Sequence, residues 1–153
     1  MGSRGINQPL SVPPHGGANF RSKVPAPVLT AAMLSQSAGG VLAQTTYGVQ
    51  ITYVNAAGET VGSGEQTFLV SANNVLNVAS PSAQASVVQG NEPATGWNVY
   101  VTSTPGSNWQ KQNAAPIAIG TPWVEPVGGL IGGALLPTVD TSAFGGAKQV
   151  TNF

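Results

Sequence analysis

The stretch from residue 47 to residue 53 alternates strictly between large apolar side chains and small or polar ones. The apolar positions are Tyr47, Val49, Ile51 and Tyr53. Because successive side chains of a β-strand point to opposite faces of a sheet, this alternation predicts a strand with one buried face. Residues 55–58 (Asn-Ala-Ala-Gly) supply a turn and residues 59–61 begin a return segment, so the pattern predicts a β-hairpin.

Further short segments of strand-like composition follow at intervals of roughly ten residues. They are residues 66–70, 75–79, 97–102, 115–119 and 122–125. Gly, Pro, Asn and Ser fall in the gaps between them. An earlier segment, residues 28–34, permits either a first strand or a short helix before Gly39 and Gly40 end it. About seven short strands without a long helix predict an all-β sandwich in preference to a barrel.

Both ends of the chain lack the alternating apolar pattern of a core. Residues 1–27 contain five prolines, which block helix and remove backbone donors, so an extended N-terminal arm is predicted there. The polar residues 138–153 predict a C-terminal arm. The β-sandwich domain is then expected to span residues 28–137.

Charged residues are scarce, at 7% of the chain against about 25% in a typical soluble protein. Such a surface is easily desolvated, which favours a permanent assembly. The formal net charge is zero and the cations are spread out, so nucleic acid is not a predicted partner. No apolar run approaches the ~20 residues that span a bilayer, and residues 1–14 lack the apolar core of a secretory signal. We therefore expect no membrane partner and synthesis in a cytoplasm.

Residues 127–136 form an apolar and glycine-rich run between Pro126 and Pro137. Two interpretations stay open, namely an irregular last strand lying on the sandwich or an exposed hydrophobic contact for another subunit. The candidate interface combines this run with one tryptophan, the terminal aromatic residue and two arm cations. Its residues are Leu130, Ile131, Leu135, Leu136, Trp109, Phe153, Arg21 and Lys23.

Few side chains in this sequence could perform catalysis. The acids are Glu59, Glu65, Glu92, Glu125 and Asp140. Four of them adjoin Gly or Pro and are interpreted as solvated loop carboxylates. A pair for glycoside hydrolysis could in principle form from Glu59 and Glu65, but nothing in the sequence marks either as buried. His15 stands alone in the N-terminal arm and there is no cysteine, so no catalytic, cofactor-binding or metal-ligating residue is predicted, and no enzyme.

The three tryptophans are the other residues that could carry a binding function. Trp97 lies in an alternation with valines and Trp123 adjoins another valine, so both are predicted to be core residues. Trp109 follows a Pro-Gly turn and is predicted to lie at the surface. A sugar-stacking platform is the alternative interpretation if several of these aromatic rings face water.

The chain from Thr45 to Pro126 resembles the fibronectin type III-like modules of tailed-bacteriophage structural proteins. The resemblance lies in residues 46–60 (TYGVQITYVNAAGET), 62–65 (GSGE), 94–101 (ATGWNVYV) and 120–126 (GTPWVEP), with Gly129 and Leu130 beyond them. Trp97 stands where these modules more often have tyrosine. The resemblance implies an immunoglobulin-like β-sandwich with a spacer, adhesion or assembly role, and it supplies no catalytic residues.

The low charge, the β pattern, the two arms and the resemblance together predict a non-enzymatic virion structural protein, made in the host cytoplasm. Its predicted partners are other virion proteins and copies of itself, and no cofactor is expected. A carbohydrate-binding or host-adhesion module, with a host glycan as ligand, is the alternative. The sequence leaves head, neck and tail positions open, although the lack of fibre repeats and heptads favours a compact accessory protein.

Overall fold

The strands of this protein are short, and almost no helix separates them. The computed structural model describes residues 23–84 and 92–143. These residues contain one 3₁₀ helix, Ala31–Met33, and eight strands. In chain order the strands are β1 (Leu34–Ala38), β2 (Thr45–Val54), β3 (Gln66–Val70), β4 (Asn74–Val78), β5 (Gly96–Thr102), β6 (Gln110–Lys111), β7 (Ile117–Ala118) and β8 (Trp123–Val124).

The strands form two antiparallel sheets. The smaller sheet has the order β1-β4-β8, and the larger has the order β3-β2-β5-β6, with β7 also pairing with β5. Strand β2 is central in the larger sheet, where its Ile51 lies opposite Val99 of β5. The predicted all-β architecture of two packed sheets is therefore confirmed.

The core lies between the two sheets. Ile51 and Val99 of the larger sheet and Leu76 of the smaller sheet are fully inaccessible to solvent. Trp97 and Trp123 belong to the same core, as predicted, and the buried indole of Trp97 donates its Nε1–H to the Thr121 carbonyl at 3.2 Å. That hydrogen bond satisfies the one polar atom of the largest core side chain.

The predicted hairpin after β2 is present, and its return segment is irregular. Asn55 closes the turn, since its Oδ1 accepts the N–H groups of Ala57 at 2.9 Å and Gly58 at 3.0 Å. In the return segment the Thr60 hydroxyl, in place of a backbone carbonyl, accepts the N–H of Tyr53 at 3.0 Å. Regular pairing resumes in β3, whose bounds agree with the predicted segment.

The first predicted segment, residues 28–34, is neither a strand nor a helix throughout. A single 3₁₀ turn at residues 31–33 precedes β1, which begins at Leu34 and continues beyond the predicted end. Gly39 ends the strand with a φ of +108°, and its N–H donates to the carbonyl of Asn73 at 3.1 Å. Seven residues were too few for periodicity to separate the two structures.

Strand β2 is buried on both faces, so the prediction of one buried face is wrong. Gly48, Gln50 and Thr52 are buried as completely as the apolar residues between them. The cause lies elsewhere in the chain, because residues 59–65 and 134–142 pack over the outer face of the larger sheet. Polar side chains tolerate this burial only where hydrogen bonds satisfy them.

The first and last residues of the described chain lie close together beside the 55–58 turn. The N–H of Val24 donates to Ser142 Oγ at 3.0 Å, and the Ser142 carbonyl accepts Asn55 Nδ2 at 2.8 Å. Val24 belongs to the core although it precedes the predicted domain start at residue 28. The remainder of the predicted arms, residues 1–22 and 144–153, lies outside the described residues.

Candidate interaction surface

Glu59 is the central acceptor of a polar layer on the outer face of the larger sheet. Its Oε1 accepts hydrogen bonds from the Thr52 hydroxyl, from Asn98 Nδ2 at 2.8 Å and from the Tyr100 hydroxyl at 2.7 Å. Burial and, after it, the interaction with Glu59 raise the pKa of Tyr100 well above its ordinary value, so the phenol stays protonated and donates. One carboxylate thus satisfies three buried donors.

Glu65 holds the loop that connects β5 to β6. Its Oε1 accepts the N–H of Gly106 at 3.0 Å and the indole Nε1–H of Trp109 at 2.8 Å. A Cβ at Gly48 would overlap this carboxylate, so glycine gives it room. Trp109 is half-buried, less exposed than predicted, because Glu65 draws its indole against the sheet.

Glu125 is the most deeply buried acid among the described residues, with 2% of its surface exposed. Its Oε2 accepts the N–H of Leu76 at 3.0 Å and so continues the pairing of β4 with β8 through a side chain. Its Oε1 has no hydrogen-bond partner among the described residues. Burial raises the pKa of Glu125, and the charge of Glu125 adds to the burial that raises the pKa of Tyr47.

The prediction that the glutamates beside Gly or Pro are solvated loop carboxylates is therefore wrong for three of them. Glu59 and Glu65 are partly buried acceptors, and Glu125 is fully buried. Glu59 accepts donors from β2 and β5, whereas Glu65 accepts donors from the loop after β5. Each of the two carboxylates thus belongs to its own hydrogen-bond network and acts there as a structural acceptor.

Residues 134–142 cross the outer face of the larger sheet, and we call them the C-terminal strap. The strap begins beside β6, where the N–H of Lys111 donates to the Ala134 carbonyl at 2.8 Å. The N–H of Leu136 then donates to the Trp109 carbonyl at 3.2 Å. At its far end the N–H of Thr141 donates to the Glu59 carbonyl at 2.9 Å. The strap therefore has a fixed path although it contains no regular strand.

Exposed apolar side chains lie along the strap and the loop before it. Val127 is 69% exposed, Ile131 46% and Leu135 64%. We call these three residues the apolar strip. Val41, also exposed, is close to the same loop at Gly129. Residues 127–136 lie on the sandwich as an irregular segment, as one of the two interpretations predicted, and they also expose apolar side chains, so a hydrophobic contact for another subunit stays a prediction.

The backbone of the apolar strip is held in place by a side chain that the sequence did not single out. Gln112 is 3% exposed, its Oε1 accepts the N–H of Ile131 at 2.8 Å, and its Nε2 donates to the Ile131 carbonyl at 2.9 Å. The residues next to Gln112 in the sequence did not indicate this role, because the bidentate amide contact depends on a partner 19 residues away.

The structure brings only part of the predicted interface together. Ile131 and Leu135 are exposed in the apolar strip, whereas Leu130 packs against the core and Leu136 is half-buried over the polar layer. Lys23 is exposed and adjoins Val24, which contacts Ser142 beside the 55–58 turn. Arg21 and Phe153 lie outside the described residues.

A shallow groove of about 350 Å³ adjoins the apolar strip. One of its walls is apolar, formed by Leu130 and Ile131, and the other is polar, formed by Thr102, Asn108 and Gln110. Asn108, in the loop after β5, has a positive φ of 57°, in the left-handed region that asparagine tolerates. The groove has the mixed walls that suit an extended peptide, since such a ligand presents both side chains and backbone groups.

Within residues 23–84 and 92–143, no helix is long and apolar enough to span a membrane, and no three His, Cys, Asp or Glu side chains are grouped as for a metal ion. Comparison with protein-family models, with curated protein sequences and with solved structures finds no match to this chain.

Proposed function

We propose that this protein is a non-enzymatic structural component of a tailed-bacteriophage particle, in an accessory position on the head, neck or tail. The observation that carries the proposal is an apolar strip on a fixed backbone. Ile131 and Leu135 project into solvent from a segment that Gln112 and β6 hold in place. A preorganised apolar surface loses little entropy on association and is typical of a protein contact.

The strand order supports an immunoglobulin-like, fibronectin type III-like sandwich. In that architecture one sheet contains C, F and G with C′ beside C, and the other contains B and E with D beside E. Strands β2, β5 and β6 follow the order C, F, G, with β3 in the place of C′, while β1 and β4 follow B and E. Strand β8 pairs with β4 as D pairs with E, but it comes last among the strands of residues 23–84 and 92–143, which is a departure from that topology.

The composition supports partners that are other virion proteins or further copies of this chain. Only 7% of its residues are charged, so a contact surface would desolvate few ions. A glycan-binding role has less support, because Trp97 and Trp123 are buried and the indole nitrogen of Trp109 already donates to Glu65. Stacking on a sugar would have to use the remaining exposed part of a single ring.

Mass spectrometry of purified particles tests this proposal. Particles are released from cells that carry the gene, separated on a density gradient and quantified by peptide counting. We expect the chain to co-purify with the particle peak at a fixed ratio to the major shell protein. Absence from intact particles, with the chain found only in the soluble fraction, would contradict the proposal.

A further inference from the structure

Strand β1 lies at one edge of the smaller sheet and pairs only on its other side, with β4. The carbonyl of Met33 accepts the N–H of Ala79 at 2.8 Å. At the other end of the strand, the N–H of Gly39 donates to the Asn73 carbonyl at 3.1 Å. Because successive residues of an antiparallel strand direct their backbone groups to opposite sides, the odd-numbered residues of β1 bond to β4. The even-numbered residues 34, 36 and 38 therefore direct their N–H and C=O groups to the open edge.

Most of these edge groups have no hydrogen-bond partner within the described part of the chain. The N–H of Leu34 is already used, since it donates to the Ala31 carbonyl in the 3₁₀ turn. The Leu34 carbonyl and both backbone groups of Gln36 and Ala38 have no partner among residues 23–84 and 92–143. The Gln36 side chain is bound elsewhere, because its Oε1 accepts the N–H of Ser71 at 2.7 Å. The open edge thus presents two donors and three acceptors.

The composition of β1 does not protect this edge against pairing. Folded proteins commonly protect an open edge with lysine, with proline or with a covering segment, as the strap covers β6 here. Strand β1 contains no proline, and residues 24–58 contain no charged side chain. Ser35, Ser37 and Ala38 are small and exposed, so another strand can approach the edge closely. Unpaired, alternating donors and acceptors on an extended backbone are complementary to another extended strand.

The sequence of β1, Leu-Ser-Gln-Ser-Ala, is nearly the same in both directions about Gln36. A two-fold axis at Gln36 would place an identical antiparallel strand with Ser35 opposite Ser37 and Leu34 opposite Ala38. The Gln36 N–H of each copy then meets the Gln36 carbonyl of the other. The Ala38 N–H of each copy likewise meets the Leu34 carbonyl of the other. Every unpaired donor of the edge finds an acceptor in this register, and no charges or bulky side chains are brought together.

We propose that β1 of one copy pairs antiparallel with β1 of a second copy about a two-fold axis at Gln36. The smaller sheets of the two copies then form one continuous sheet. The contact is isologous and closes a dimer. It uses other residues than the apolar strip, so a dimer formed at β1 still presents the strip of each copy for further contacts. The inference goes beyond the proposed function and does not depend on a place in a virion.

Disulfide formation tests the register, because the chain contains no cysteine of its own. Ser35 of one copy and Ser37 of the other form a directly opposed pair with Cα atoms about 4.5 Å apart, within reach of a disulfide. Identical positions are diagonal neighbours about 7–8 Å apart, which is too far for an unstrained disulfide. Full-length Ser35→Cys and Ser37→Cys chains, one with a mass tag, are mixed and oxidised. We expect several-fold more heterodimer on a non-reducing gel than either variant forms as homodimer.

Two further variants control for random encounter and for the backbone contact. Ser103→Cys, at an exposed serine in the loop after β5, replaces Ser35→Cys in the mixture and should give little heterodimer. Ala38→Pro removes an outward donor and leaves the bonds to β4 intact, whereas Ala38→Val keeps that donor. Added to both cysteine chains, Ala38→Pro should abolish most of the heterodimer and Ala38→Val should retain it. Thermal melting of each variant verifies that it is folded.

Equal yields from the mixed and the single cysteine variants would overturn the proposal, because the crosslink would then report no defined register. A heterodimer yield no higher than with Ser103→Cys would overturn it as well, and so would an undiminished yield in folded Ala38→Pro. If Ala38→Pro does not fold, the comparison of mixed and single cysteine variants decides alone. A heterodimer in the expected register supports β1 pairing whether or not purified particles contain the chain.

Discussion

The two faces of the larger sheet are both buried, yet different interactions stabilise them. On the inner face, Ile51 and Val99 share an apolar core with many neighbours. On the outer face, Asn98 and Tyr100 depend on one acceptor, Glu59. Truncating an apolar core side chain lowers the free energy of unfolding in proportion to the atoms removed. Removing a shared acceptor from a buried polar layer lowers it by the desolvation free energy of every donor that is left unpaired. On the outer face, therefore, replacing one residue that is itself partly exposed, such as Glu59, is enough to lower the stability of the fold substantially.

Trp97→Ala tests the inner face and should have the largest effect. The side chain is fully buried and its removal leaves a large cavity, so we expect a loss of about 3–5 kcal/mol in the free energy of unfolding. Urea denaturation followed by circular dichroism measures it, with Leu69→Ala on an exposed edge as the control. A loss below about 1 kcal/mol would mean that Trp97 does not lie in the core.

Glu59→Ala tests the outer face and should cost about 3 kcal/mol, because it leaves the donors of Thr52, Asn98 and Tyr100 without their acceptor. Tyr100→Phe removes one donor and keeps the acceptor, so we expect a loss of only about 1 kcal/mol. The same urea measurement applies to both variants. Equal losses would show that Glu59 is not the shared acceptor of the layer.

Glu125 provides a test by pH, because this buried carboxylate has one oxygen without a partner among the described residues. Burial raises its folded-state pKa above the ordinary value of about 4.3, so its contribution to stability is complete below that value and is lost as pH rises through the folded pKa. Glu125→Gln stays neutral and retains an acceptor for the N–H of Leu76. We expect a higher melting temperature than wild type at pH 7.

The increase in stability from Glu125→Gln should be smaller than the decrease from Glu59→Ala. The increase should shrink towards pH 4, where the wild-type Glu125 carboxyl is also protonated. Melting curves at pH 4, 5, 6 and 7 measure it. Glu92→Gln, at an exposed acid, is the control and should show no such trend. A pH-independent difference for Glu125→Gln would contradict the burial of a titrating carboxylate.

The sequence predicted the strands well where a local pattern determines them. The alternation in β2, the Asn55 turn and the whole of β3 follow from neighbouring letters and turn chemistry. The sequence could not predict the second buried face of β2. A polar residue such as Thr52 looks the same in a strand whether it faces water or an acceptor such as Glu59 in a segment that covers the sheet.

The candidate surface was predicted in part for a similar reason. The apolar run at 127–136 indicated a candidate contact segment. The sequence alone could not show that Ile131 and Leu135 are exposed while Leu130 packs against the core. That difference depends on Gln112 and β6, which fix the backbone from positions remote in sequence. The burial of Glu125 was missed because its proline neighbour suggested a solvated turn.

Leu135→Ser completes the series with the smallest expected effect on stability, below about 0.5 kcal/mol, because its side chain is already exposed. Its effect on self-association should be large. Removing an apolar contact at the centre of an interface weakens association about tenfold or more. Leu69→Ser, at a leucine of similar exposure, is the matched control for loss of an exposed leucine.

We propose that the apolar strip is a contact surface, and sedimentation velocity of the full chain over a range of concentrations tests this proposal. We predict that wild type and Leu69→Ser associate reversibly with concentration, while Leu135→Ser, equally well folded, requires about tenfold higher concentration for the same shift in sedimentation coefficient. If wild type stays monomeric at every concentration, or if the two leucine variants behave alike, the strip is not the contact through which this protein assembles.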